Sequence, residues 1–463
     1  MSFATLFVFA QTPCSNGSAG PYDCDGYDLQ SSFSLSDLNA GSGNDSWGWT
    51  DPDNGNEYAL IGLDNGTAFI DISNPTNPVY LGKLPTHTSS STWRDVKVYS
   101  NHAFIVSEAG GHGMQVFDLT RLRSVNNPPV TFTEDAHYNG FGSAHNIVIN
   151  EDTGYAYGVG TSSFNGGPHF VNIQNPTNPV AAGGYALDGY SHDAQVITYN
   201  GPDTDYTGRE ILIGSNEDEI VIVDITDKAN PVPISSTSYT NVEYTHQGWF
   251  TEDQRYFIVG DELDELFAGI GNTRTIIFDF NDLDDPQFLF NYEGPTAAID
   301  HNGYVVGDKY YMANYRAGMR VIDISDIGNQ NISEVGFFDS YPNNNNAEFD
   351  GAWNVYPFFA SGNIVISDIN RGFLLVKDPE FLSVAEVTTD EFTIFPNPTA
   401  TNFTINSKIN PISKIEIFSI LGQQVIDLTF SETTSKNIDI SSLHSGMYLV
   451  KINNNTTKRL IVK

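Results

Sequence analysis

The chain is expected to be all-β: a seven-bladed β-propeller followed by a small C-terminal β-sandwich. Three observations lead there. A strand motif recurs through the body roughly every fifty residues. No stretch between its copies shows helical periodicity. The final seventy or so residues then change to short alternating apolar runs with a different charge balance. Composition agrees: of 463 residues, 40% are hydrophobic and 13% aromatic, with 41 Gly and 22 Pro to punctuate turns.

The recurring unit is clearest in "GTAFIDISNPTNPVYLG" at 66–82. It returns at 113–132, at 167–184 as "GPHFVNIQNPTNPVAAGG", and at 219–235 as "EIVIVDITDKANPVPIS". Further copies lie at 274–290 and 319–338, with a truncated one, "GFLLVKDPEFL", at 372–382. Asp71, Asp118, Asp224, Asp279 and Asp323 hold one motif position, which Asn172 takes in the third copy. A short side-chain oxygen there is expected to bond the backbone two residues on and end the strand. Each copy is preceded by a second apolar run, such as "REILIGS" or "RYFIVGD", and before that by a run opening near a histidine. Four short strands per unit predict a propeller. The first unit opens at "DSWGWTDPDNGNEYALIG" (45–62). The seventh lacks a fourth strand, which "YDLQSSFSLSDL" (27–38) is expected to supply.

Charge excludes some partners. Lys and Arg total 21 against 57 Asp and Glu, a net −36, so neither nucleic acid nor an anionic membrane is an expected partner. From Glu391 onward the balance reverses: Lys408, Lys414, Lys436, Lys451, Lys458, Arg459 and Lys463 face only Glu391, Glu416, Asp427, Glu432 and Asp439. The N-terminal "MSFATLFVFAQTPC" has the apolar run and small residue of a secretory signal, though it is short and has no basic start. No other apolar run approaches the roughly 20 residues of a membrane span. Cys14 and Cys24 are the two cysteines, and in an exported chain they are expected to form a local disulfide. The expected organisation is a signal segment at 1–10, the propeller at 11–383, a linker at 384–391 and the sandwich at 392–463.

The body resembles the choice-of-anchor B family of secreted bacterial proteins, built on LVIVD repeats. The resemblance rests on "NDSWGW", "WRDVKVYSNHAFIVSEAGGHGMQVFDLTRLR", "SAHNIVIN", "SHDAQV", "SNEDEIVIVD", "YTHQGWFTED" and "DHNGYV". It covers 14–382, about four-fifths of the chain, and implies architecture rather than a particular activity. The tail, through "FPNP", "LGQQV", "LHSGMYLVKI" and its basic end, resembles the type A C-terminal sorting domain of the type IX (Por) secretion system of Bacteroidetes. That resemblance implies Sec-dependent export, outer-membrane passage handled by type IX machinery through 392–463, and then surface anchoring or release.

In a propeller the first strand of each blade lines the central channel, which gives the recurring histidines a location. Alignment of the units puts Arg94, His145, His192, His246 and His301 at equivalent positions, with Asp350 of "FDGAWNV" in the seventh. The next residues are Asp95, Asn146, Asp193, Gln247 and Asn302. Loops between second and third strands add Glu108, Glu217, Asp218, Asp261, Glu262, Arg316 and Arg371 to the same face. His145, His192, His246 and His301 are candidate ligands of a divalent metal, since imidazole with carboxylate suits transition ions. Arg94, Asp95, Asp193, Glu217, Asp218, Asp261, Glu262, Arg316 and Arg371 are candidate ligand-binding residues. The plainer alternative is that each histidine bonds within or between blades. The acid runs "SNEDEI" and "GDELDEL" are candidate calcium ligands, although neither matches an EF-hand. Trp47, Trp49, Trp93, Trp249 and Trp353 are expected at the surface near the channel mouth, where they would suit a sugar or peptide.

No G-x-S-x-G elbow, H-E-x-x-H helix or free cysteine points to nucleophilic catalysis. The expected function is an extracellular binding or adhesion module for a glycan, peptide or protein. The alternative is a metal-dependent extracellular hydrolase or lyase on the same face, so enzymatic activity is left open.

Overall fold

The computed structural model describes residues 11–381 and, in the C-terminal part, 392–462 except 398, 400, 408–410, 420–423, 444–445 and 454–455. The expected signal segment 1–10 and linker 384–391 lie outside the described residues. The chain forms two compact units, Met1–Phe381 and Leu382–Lys463.

The first unit is propeller-like. Its seven sheets open with Gly43–Thr50, Arg94–Tyr99, Asn146–Asn150, Asp193–Thr198, Thr245–Phe250, Gly303–Val306 and Ala352–Tyr356. In the first six, three further antiparallel strands follow in chain order. The opening strand of each sheet packs on that of the next, and Ala352–Tyr356 packs on Gly43–Thr50. Third strands such as Ile220–Asp224 are buried along their whole length, which is why they read as continuous apolar runs and not as alternation. Outer strands such as Gln287–Glu293 have solvent on one side and recover polar positions.

The repeated acid closes the third strand. Asp71, Asp118, Asn172, Asp224, Asp279 and Asp323 each accept the backbone N–H two residues on, at 2.8–3.0 Å. This side-chain turn competes with the ladder and ends it in the first five copies, while the strand of Asp323 runs on to Asp326. The repeated acid is therefore a turn former.

In the seventh sheet Gly372–Lys377 pairs with Asn363–Asp368 on one side and with Asp28–Phe33 on the other. The N-terminal segment thus supplies the missing strand, as the truncated copy predicts. Just before it, Cys14 and Cys24 are joined by a disulfide, and Tyr22–Asp25 extends the sixth sheet through Cys24 and Phe338.

The C-terminal unit has two antiparallel sheets, one of three strands (Phe392–Phe395, Asn402–Ser407, Ser435–Asp439) and one of four. Phe403, Ile405, Ile415, Ile417, Val450 and Leu460 are fully buried between them. Removing each such side chain from water contributes about 1.5–3 kcal/mol, so alternation alone builds this core.

Candidate metal centre at the histidine cluster

His145 and His192 stand immediately before their opening strands and His301 two residues before its own, and each backbone N–H donates to the end of the second strand, as His301 does to Ala313 O at 2.9 Å. His246 lies inside its strand, at a bulge between the pairs Thr245–Asp261 and Gln247–Gly260. A bulged residue leaves the ladder, and here it turns its side chain onto the line of the other three. The rings stack in series: centroids are 4.1 Å apart for His145–His192 and 4.3 Å for both His192–His246 and His246–His301.

The seventh sheet departs from the expected alignment. Trp353, not Asp350, occupies the matching place, because a bulge between Ala352 and Asn354 shifts the strand by a residue. Gly351 permits this: at φ +93° a Cβ would lie 2.3 Å from Tyr315 O. Asp350 instead accepts hydrogen bonds from Arg316 and Asn370.

The Nδ1 atoms are largely occupied. His301 Nδ1 donates to Trp353 O at 2.6 Å, and His192 Nδ1 to His246 O at 3.1 Å. A carbonyl only accepts, so both rings are Nδ1–H tautomers with the Nε2 lone pair free. His145 Nδ1 faces Glu108 Oε1 at 2.6 Å. The Nε2 of His246, 1% exposed, makes no hydrogen bond. Burial, with neighbouring imidazoles, holds His192 and His246 well below the usual histidine range, and burial pushes His301 down to about 3. All three are neutral near pH 7, the state in which imidazole ligates metal.

Glu262, from the loop after the second strand of the fifth sheet, completes the cluster. Its Oε2 is 3.7 Å from His246 Nε2 and its Oε1 is 3.6 Å from His301 Nε2. Tyr315 OH donates to Oε1 at 2.6 Å, although burial pushes the carboxyl up to about 7. Tyr315 itself adopts φ +24°, a sparsely populated conformation for a side-chain-bearing residue. His246, Glu262 and His301 offer three ligand atoms within 4.8 Å of one another. A cavity of about 380 Å³ opens over them, walled by Trp93, Phe349, Trp353 and Ile369.

The remaining sequence candidates fall elsewhere. Arg94 is buried, its Nε donating to Leu63 O at 2.9 Å and its Nη1 to His112 Nε2 at 3.0 Å. Asp261 is spent on structure: it accepts from Tyr239 OH and from the N–H groups of Glu243 and Tyr244, at 2.8–2.9 Å. Within "GDELDEL" the chain makes a one-turn helix, Asp264–Phe267, and Asp264 binds Arg274 Nε at 2.6 Å. Glu217 and Asp218 are exposed, as is Arg371, while Arg316 is buried against Glu348 and Asp350. Of the five tryptophans Trp93, 44% exposed, is the most exposed, and Trp47 and Trp249 are half-buried. Trp49 is buried on Tyr58, Trp353 is buried, and Trp47 and Trp249 pack on Tyr304, so the expected aromatic rim is largely interior packing.

Asp95 and Asp193 belong to a second group that the sequence reading did not assemble. Lys97 Nζ donates to Asp95 Oδ1 at 2.6 Å, and Asp45 and Asp193 act on the same ammonium. Burial raises Asp193 to about 7 and Asp45 well above the carboxylate range. Asp45 accepts from Asn302 and Asn354, at 3.2 and 2.5 Å, and so ties the first, sixth and seventh sheets together. Asp95 stands two residues before Lys97 in the same strand, which puts both on one face, but nothing linear marks Asp45 or Asp193.

Family comparison finds the LVIVD repeat at residues 55–86 and 211–239 and a secretion system C-terminal sorting domain at 393–463. No curated protein matches the chain. Among solved structures the chain is similar to hydrazine synthase of Kuenenia stuttgartiensis, at 12% identity and TM-score 0.49, over 72% of this chain and 95% of that one. It is also similar to the Cps50 (Swd1) β-propeller domain of Myceliophteria thermophila, at 10% and 0.46, over 73% and 96%. PorZ, a surface component of the type-IX secretion system of Porphyromonas gingivalis, matches at 11% and 0.46, over 89% and 58%. Fold and motifs together define an LVIVD-repeat protein of propeller-like architecture. It ends in a secretion-system sorting domain, a make-up consistent with a choice-of-anchor B protein exported by the type IX route.

Proposed function

We propose that this chain is an extracellular binding module: a closed seven-bladed propeller that holds a divalent transition metal at His246, His301 and Glu262 and presents it to a ligand. The closed ring is supported by the packing of Ala352–Tyr356 on Gly43–Thr50 and by the strand 28–33 that completes the last sheet. Delivery outside the cell, with anchoring or release, rests on the sorting domain at 393–463.

The observation that carries the metal reading is the placement of Glu262, whose two oxygens lie 3.7 and 3.6 Å from two imidazole nitrogens. Metal–nitrogen bonds of about 2.0–2.1 Å put tetrahedral ligand atoms roughly 3.3 Å apart, so the three atoms, all within 4.8 Å of one another, would draw in to hold one ion. Two imidazoles and one carboxylate suit zinc, iron, manganese or cobalt; calcium prefers an all-oxygen set. The unpartnered Nε2 of His246, the nitrogen that faces Glu262, fits this account, since a buried polar atom with no partner is costly. The carbonyl bond to His301 Nδ1 is the kind of outer contact that orients a metal-bound imidazole. Three protein ligands leave coordination positions open toward the cavity.

Binding is favoured over a hydrolase or lyase reaction by the state of the acids. A base beside the metal is needed, yet Asp261 is saturated with hydrogen bonds and Asp193 belongs to the Lys97 group. Equilibrium dialysis of the full chain against zinc or cobalt, followed by metal analysis, tests the reading. One equivalent is expected, lost in Glu262→Gln and retained in His145→Ala. A chain that retains no stoichiometric ion would overturn it.

A further inference from the structure

We infer that the ligand of the metal mouth is a flat aromatic molecule ending in a chelating pair of oxygens, of the aryl carboxylate, hydroxamate or catecholate kind, and not a polyhydroxylated sugar. This rests on the metal-binding reading above and concerns what approaches the open side of the ion.

The first observation is the charge of the centre. Two neutral imidazoles and one carboxylate around a divalent cation leave a net single positive charge, screened by the protein from most solvent. An anionic oxygen donor is the ligand such a centre selects.

The second is the small number of free polar groups in the wall, chiefly the Nε2 of His192 and the hydroxyl of Thr92. Tyr315 OH is committed to Glu262, His301 Nδ1 to Trp353 O, His192 Nδ1 to His246 O and His145 Nδ1 to Glu108. A sugar carries a hydroxyl on nearly every carbon, and each one buried without a partner costs affinity. A ligand whose polar atoms all sit at one end, on the ion, avoids that cost.

The third is the shape of the entrance. Trp93 and Phe349, 44% and 46% exposed, both belong to the cavity wall over the histidines, with Trp353 and Ile369 below them. Isolated apolar side chains at a surface mean little, but two large rings converging on one cavity over a set of metal ligands offer faces to a planar body. The cavity, about 380 Å³, is of small-molecule size.

The test uses the full chain and cobalt, whose visible bands report its ligands. Cobalt is titrated first; Glu262→Gln should abolish the bands. Benzohydroxamate is then added to the cobalt-loaded chain and is expected to shift the bands at the metal. Acetohydroxamate, with the same chelating head and no ring, should bind at least about tenfold more weakly. Trp93→Ala, a surface change, should weaken benzohydroxamate by a similar factor and leave cobalt affinity unchanged. If cobalt fails to bind, the metal-binding reading falls and this inference with it. If cobalt binds but the two hydroxamates bind alike, if benzohydroxamate leaves the bands unmoved, or if glucose competes as well as the aryl ligand, the inference alone is overturned.

Discussion

The Nδ1 of His301 donates to the backbone carbonyl of Trp353 at 2.6 Å, and that single bond turns the ring so that Nε2 faces Glu262. The carbonyl is available because Trp353 sits in a bulge, out of register with the strand beside it. A backbone irregularity in the seventh sheet thus sets the tautomer of a histidine in the sixth.

Removing either end of the Glu262 arrangement is expected to separate metal binding from folding. Glu262→Gln keeps the shape and an acceptor for Tyr315 but loses the charge. Its zinc affinity should fall at least about a hundredfold, read by competition with a chromophoric chelator, with the unfolding free energy of the metal-free chain within about 0.5 kcal/mol of the parent.

Lys97 is the cation of a buried group that includes Asp45, Asp95 and Asp193. Lys97→Met leaves those carboxylates with no ammonium. Urea unfolding of the propeller unit is expected to show a loss of about 3–5 kcal/mol, the usual cost of stranding a buried charge. Asp95→Asn in the same background should recover part of it, because Asp95 is the carboxylate that the ammonium bonds.

Asp339 gives a pH signature. Burial raises its carboxyl to about 6, against the pulls of Tyr341 N–H and Arg320 and with the push of Asp23 and Asp368. The folded state holds the proton between the ordinary value of 3.8 and 6, while the unfolded state releases it. Its contribution to stability is therefore present at and below pH 4 and lost as pH climbs to 6, on the order of 3 kcal/mol in all. Asp339→Asn should remove that loss, so the variant's advantage in urea grows from pH 4 to pH 6 and then levels off. An advantage independent of pH would contradict the assignment.

The Cys14–Cys24 disulfide anchors the segment that leads into Asp28–Phe33. Cys14→Ser with Cys24→Ser is expected to cost about 2–3 kcal/mol, in line with a loop of that size. Limited proteolysis should show early cleavage before Asp28, followed by loss of the strand that covers Gly372–Lys377 and exposure of its edge.

The sequence alone determined the order of the four strands in each unit of the body and the change of module near residue 392, but not the short strands Ser18–Ala19, Tyr22–Asp25 and Val130–Thr131 that extend two of the sheets. Those features are local: buried third strands read as apolar runs, Asp or Asn at each strand end makes its own turn, and the composition shift marks the tail. It also predicted that histidines would gather at one mouth, since a repeat copies the same residue to the same depth. Which of them meet an acid was decided only by the tertiary structure. His246 and Trp353 reach their places through bulges, and one extra residue in a strand changes which face a side chain takes without leaving a mark in the pattern. Glu262 and Tyr315 meet across sheets, as do Lys97 and the acids Asp45 and Asp193, where separation along the chain carries no distance. The same cause moved Arg94, Asp261 and four of the five tryptophans out of the expected surface and into packing, since alternation shows that a side chain faces inward but not what it will touch.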